Sequence, residues 1–163
     1  LHGHLVRALA RQHKGVRVAS VSLLAPASTL ELFRALYVPL LNRRGTGIDR
    51  LSIYNLIDRL EQDDDVAKIY RKSLLYLVSR AFEEDPDAPT ALLGMERYSK
   101  NIEDIKPGQL EVHYSNGIAS PRDKTNATTH GEFDNDPATM NAVLRNILGE
   151  APPVPFTEES LRY

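Results

Sequence analysis

Apolar positions along this chain follow two different spacings, and the two alternate. In residues 1–12, Leu1, Leu5, Ala8 and Leu9 recur at helical intervals with Arg7 and Arg11 opposite, and Gly15 follows as a residue tolerant of a left-handed helix end. Residues 16–25 (VRVASVSLLA) are short, β-branched and interrupted only by small serines, which predicts a strand buried on both faces, closed by Pro26. Ser28 or Thr29 then caps a helix to about residue 41, with Leu30, Phe33, Leu36, Tyr37, Leu40 and Leu41 as its apolar face; Pro39 should kink or end it. After the polar stretch 42–49, residues 51–57 (LSIYNLI) read as a second buried strand. Residues 66–82 hold the helical period for more than four turns, and Asp63, Asp64 and Asp65 stand ahead of them as a complement to the helix dipole.

Beyond the break at 85–89 the pattern weakens. Residues 90–108 predict a short helical turn and then a loop around Pro107 and Gly108. Residues 110–115 (LEVHYS) alternate like a strand. Residues 116–132 are long, polar and aperiodic, as functional loops often are. Asp136 followed by Pro137 is a strong helix start, Met140, Val143, Leu144, Ile147 and Leu148 give an inward face, Gly149 ends the helix, and residues 150–163 read as an extended tail. Strands alternating with helices predict an α/β fold with a mostly parallel sheet, flanked by helices, as a single domain over 1–163. Three strands leave two open edges, so the sheet reads as incomplete. The chain opens at Leu1 inside a predicted helix, and reads as a piece of something longer.

Composition narrows the function classes. The chain is 42% apolar and 26% charged, with a net charge of −2, and neither sign clusters, which leaves no electrostatic footprint for nucleic acid. Its longest apolar run, within 18–27, is too short to cross a bilayer, so no transmembrane segment is expected. It has no cysteine, which excludes disulfides, thiolate metal sites and cysteine catalysis. The compartment stays unassigned.

In open parallel sheets reactive groups gather beyond the carboxyl ends of the strands. There the sequence places residues 26–29 after the first strand, and Asp58, Glu61 and Asp63–65 after the second. The loop carrying His130 and Gly131, with Asp134 and Asp136, follows the third. His130 suits general-base work, since an imidazole titrates near neutrality and a loop can present it to a cleft. An exposed loop histidine, or one tied to nearby backbone, is the plain alternative. Asp58 could orient an imidazole or serve as a turn residue. One of Asp63–65 could be the acid, although a solvated turn explains all three. His130, Asp134 and Asp136 make too thin a set to predict a metal, and nothing calls for a cofactor. His2 and His4 point apart on their helix, His13 reads as surface, and His113, Tyr54 and Tyr114 read as packing residues. Gly45 and Gly47 lack the lysine and helix start of a phosphate loop, and no serine sits in a nucleophile-elbow motif.

The element order, the apolar-Ala-Pro turn ending VASVSLLAPA, the strand LSIYNLID and the segment Thr129-His130-Gly131 before a capped helix together resemble the C-terminal half of an α/β-hydrolase. That resemblance covers most of the chain. It implies a serine hydrolase acting on an ester, amide or lipid-like small molecule, with His130 as base and Asp58 as acid; Asp63 stays eligible because the acid often lies a few residues past its strand. Serine and oxyanion donors would then lie upstream, residues 1–12 would be the nucleophile-bearing helix, and the chain alone would be inactive. The open edge would favour a homodimer or association with the missing half. A non-catalytic α/β interaction domain is the competing expectation, and a doubly wound small-ligand domain a third, for which no binding turn is present.

Overall fold

The computed structural model describes residues 2–12, 17–41, 47–64, 73–81, 89–100, 102, 109–118 and 124–162. The readings of His13, Gly15, Gly45, Asp65, residues 66–72, Phe82, the 85–88 break and the Pro107-Gly108 loop lie outside these residues. Among the described residues five strands, β1 (Arg17–Val18), β2 (Val21–Leu24), β3 (Gly47–Ile48), β4 (Leu51–Leu56) and β5 (Leu110–Ser115), all pair in parallel. β2, β4 and β5 form a three-stranded sheet in that order, with β4 central; β1 and β3 form a second pair.

The two sheets are one ladder with a gap. Arg17 faces Gly47 and Val18 faces Ile48; past Ala19 and Ser20 the same register resumes with Val21 facing Leu51. Backbone bonds from Asp49 N–H to the Val18 carbonyl and from Val21 N–H to that of Arg50 carry the pairing across. The strand expected over 16–25 is thus interrupted rather than continuous.

Every residue of β4 is buried, and its alternation sorts the layers. Leu51 and Ile53 face a core with Val6, Phe33, Leu36, Leu40 and Leu41 from α1 (His2–Gln12), α2 (Leu30–Leu36) and α3 (Val38–Leu41). Tyr54 and Leu56 face the opposite core, with Ala127, Phe133 and Ala142. There α7 (Pro137–Leu148) reaches the sheet through Asn146, whose amide donates to Ser52 Oγ and the Tyr54 hydroxyl. The result is an α/β fold with parallel strands between helices.

Local sequence explains most boundaries. Thr29 accepts from Leu32 N–H to cap α2, and the helix breaks at Tyr37, ahead of Pro39, as proline demands. Asp136 accepts from the N–H groups of Ala138 and Thr139, with Pro137 at the first turn, and Gly149 closes α7 in the left-handed conformation. The tail folds back on α7, where Asn141 exchanges two hydrogen bonds with the Phe156 backbone.

Two elements depart from the sequence pattern. α1 turns Gly3 and Val6 inward, whereas Leu5 and Leu9, read as its inner face, are 57% and 38% exposed. Gly3 sets this rotation: a Cβ there would lie 2.9 Å from Leu36 Cδ1 and 3.0 Å from the Tyr37 ring, so α1 packs on α2 through its one residue lacking a side chain. Residues 58–63 form a helix, α4 (Asp58–Asp63), where none was expected; of the helix expected over 66–82 the described residues hold α5 (Leu74–Ala81), with Ser73 ahead of it outside the helix. Asp63 is therefore the last residue of α4, at the unfavourable end of its dipole, rather than a complement ahead of α5.

Candidate functional site: a buried histidine–glutamate pair

At the carboxyl end of β4 the chain passes through Ile57 into α4, and Glu61 falls one turn later. On that turn Ile57, Leu60 and Glu61 share a side, so Glu61 points inward with its apolar neighbours. It is fully buried. At the same end of the sheet, β5 leads into a loop described over 116–118 and 124–129, and its second part is anchored. Ser115 Oγ donates to the Ala127 carbonyl, and Thr139 Oγ1 donates to Thr125 Oγ1. This loop delivers His130 as the first residue of a short 3-10 turn, His130–Glu132. Glu132 steadies the approach by accepting from both Thr128 N–H and Thr128 Oγ1.

The two meet. His130 Nε2 lies 2.8 Å from Glu61 Oε2, with the His130 side chain 18% exposed and Glu61 closed to solvent. The His130 backbone N–H donates to Asp64 Oδ2 at 3.2 Å, a second tie between the same two segments. Glu61 Oε1 is buried without a hydrogen-bond partner among the described residues, so His130 is the one group that compensates this carboxylate. Nε2 is turned to the acid, which leaves Nδ1 as the nitrogen for other work. In a serine-protease triad the acid meets Nδ1 instead.

Asp58, expected to hold the imidazole, is engaged elsewhere. Its carboxylate receives Arg97 Nε at 3.1 Å and Nη2 at 2.7 Å, the Tyr76 hydroxyl at 2.7 Å and Gln62 Nε2 at 2.8 Å. Burial pushes the Asp58 carboxyl up, but the hydrogen bonds from Arg97, Tyr76 and Gln62 and the Arg97 charge outweigh it and hold the group below its ordinary value. Burial and the Asp58 hydrogen bond push the Tyr76 phenol up to about 12. Asp63 makes no hydrogen bond to His130 among the described residues. The carboxylate brought to His130 is thus Glu61, three residues past Asp58 and two short of Asp63. The sequence held a signal for it: Glu61 is the charged member of an otherwise apolar helical side formed with Ile57 and Leu60.

The remaining candidates have ordinary roles. Asp134 is exposed, and Asp136 caps α7 and accepts from Asn126 N–H. His2 Nδ1 lies 2.8 Å from the Tyr37 hydroxyl. His113 packs on Tyr54 with ring centroids 5.0 Å apart, and burial outweighs its neighbour Glu111 in pulling the imidazole below its ordinary value. Among the described residues no group of three or more His, Asp or Glu could hold a metal ion, and no helix is long and apolar enough to cross a membrane.

Two further features lie at this end of the sheet. A cavity of about 380 Å³ opens beyond β2, lined by Leu23, Pro26, Ala27, Leu32, Leu36 and Tyr37 among others. Ala25, between β2 and Pro26, has φ 37°, a left-handed conformation costly for a residue with a Cβ. Against protein-family models, curated proteins and solved structures alike, the chain finds no match.

Proposed function

We propose that this chain supplies the base and the acid of a serine hydrolase of the α/β-hydrolase type, acting on an ester, amide or lipid-like substrate. His130 takes the proton from an attacking hydroxyl and returns it to the leaving group, while Glu61 holds the imidazole and balances its charge. The carrying observation is the Nε2–Oε2 contact of 2.8 Å between a nearly buried histidine and a fully buried carboxylate, beyond the carboxyl ends of parallel strands. The cavity beyond β2, lined by apolar side chains together with His2, His4 and Ser28, has room for an acyl chain. Among the described residues no serine is hydrogen-bonded to His130, so the nucleophile belongs outside them.

One observation favours a second reading, a non-catalytic α/β interaction domain. His130 presents Nε2 rather than Nδ1 to the acid and ties two loops together by side chain and backbone alike, as a strut would.

The test is fluorophosphonate labelling and p-nitrophenyl ester hydrolysis by the protein expressed from its full reading frame. Under the hydrolase reading His130→Ala lowers kcat by about 10³-fold or more, Glu61→Gln by at least about tenfold, and Asp58→Asn by less than either. A protein that neither labels nor hydrolyses leaves the interaction domain, and undiminished turnover in His130→Ala refutes the assignment of His130 as base.

A further inference from the structure

We infer that Glu96 and Arg97, at the start of the short helix α6 (Glu96–Ser99), are positioning residues for the His130–Glu61 pair; the inference rests on that pair being the working site. α4 has six residues, too few for a helix to hold its shape unaided, and its N-cap, Ile57, has no side chain able to accept from the helix's free N–H groups. Both deficits are met from α6. Glu96 Oε2 accepts the Asp58 N–H at 2.6 Å, standing in for the missing cap. Arg97 grips the Asp58 carboxylate with two bonds, and its guanidinium also lies 5.1 Å from the centre of the Tyr76 ring, whose hydroxyl donates to the same carboxylate. A forked donor on a planar acceptor fixes direction as well as distance.

α6 is itself fixed to the sheet. The segment leading into it is bonded to the connection between β2 and α2 and to the first residue of α2, through Gly94 N–H to Pro26, Leu93 N–H to Ser28 and Leu30 N–H to Ala91. It is bonded to β4 through Asn55, whose amide donates to the Leu93 carbonyl and to Ser99 Oγ. The frame of the sheet therefore passes through Asn55 to α6, from Glu96 and Arg97 to Asp58, and along one turn of α4 to Glu61. A rotation of α4 about its axis would carry Glu61 off the imidazole, and the clamp on Asp58 opposes that rotation.

The imidazole proton reports on this in solution. A histidine Nε2–H held by a buried carboxylate exchanges slowly with water and is visible as a downfield proton resonance. In wild type this resonance is expected. Glu61→Gln should abolish it or speed its exchange, which tests the pair itself. Arg97→Ala should speed exchange by about tenfold or more with the fold retained, and Tyr76→Phe, which removes one bond to Asp58, by a smaller factor. Arg17→Ala, which breaks the remote Arg17–Asp49 pair, serves as a control for general loosening and should leave the rate unchanged. If Arg97→Ala fails to fold, Tyr76→Phe against Arg17→Ala decides. Loss of protection in Glu61→Gln with none in Arg97→Ala or Tyr76→Phe overturns the positioning role and spares the pair. A wild-type protein without the protected proton, or an unaffected Glu61→Gln, overturns both.

Discussion

Removing His130 should cost far more stability than removing its partner, and that asymmetry tests the pair most directly. His130→Ala leaves the Glu61 carboxylate fully buried, with neither oxygen bonded to another described group. Leaving a buried carboxylate without its compensating partner costs about 3–5 kcal/mol. Because the His130 side chain is 18% exposed, water can enter the space it vacates, which reduces the expected loss to about 2–3 kcal/mol. Glu61→Met keeps the volume and removes the buried charge, while the imidazole left behind sits near enough to solvent to be hydrated, so the cost should be about 0–1 kcal/mol. The double variant should then resemble Glu61→Met, giving a coupling energy of about 2–3 kcal/mol. Urea unfolding at neutral pH, followed by circular dichroism, resolves this: at a slope of about 2 kcal/mol per molar, His130→Ala moves the midpoint by about 1 M. Additive single losses, or a His130→Ala cost below about 0.5 kcal/mol, would refute a buried, mutually dependent pair.

Three other outcomes follow from the packing and the titrating groups. Gly94→Ala places a Cβ 2.7 Å from Leu75 Cδ1 and 2.8 Å from the Pro26 carbonyl oxygen, so it should destabilise by about 1–3 kcal/mol, read as a lower Tm; an unchanged Tm would mean the segment yields easily. The Asp58 carboxyl is held below its ordinary 3.8 in the fold, so its stabilisation is present above that value and is lost as pH falls through the lower folded value; Arg97→Ala should flatten stability against pH below about 4, and parallel acid-unfolding curves would contradict this. His113, pulled below its ordinary 6.5 mainly by burial, favours the neutral ring, so its contribution is full above that value and declines as pH falls through the folded one; His113→Gln should lessen the loss of stability between about pH 7 and 5, measured by urea midpoints.

The legible parts of this fold are those whose signals are local. α7 was fixed by Asp136, Pro137 and Gly149, and β4 by a run of residues that all proved buried. The parallel arrangement followed from alternation of strand and helix. The inner face of α1 was misread because its packing is decided by an absent side chain, Gly3, against Leu36 and Tyr37, and no hydrophobic period records that. α4 escaped notice because DRLEQD is short, polar and without a side-chain cap, and its shape comes from Glu96 and Arg97, distant in sequence. At the site, His130 was legible from its loop and the helix after it. Glu61 lies in the same acidic cluster as Asp58 and Asp63; the strand end points to Asp58, whereas the helical spacing from Ile57 and Leu60 points to Glu61. The clamp on Asp58, formed from Arg97 and Tyr76, has no sequence signature short of the tertiary structure.

The bond between His130 and Glu61 spans 69 positions and joins the connection after β4 to the loop after β5, giving it a place in time as well as in space. β2, α2, α3 and β4 can come together within one short stretch of chain, whereas β5 and then the His130 turn must close much larger loops. The pair is therefore expected to form on the native side of the folding barrier. Substitutions there should speed unfolding and leave the folding rate nearly unchanged. On that expectation the pair is a latch, fastened last and released first.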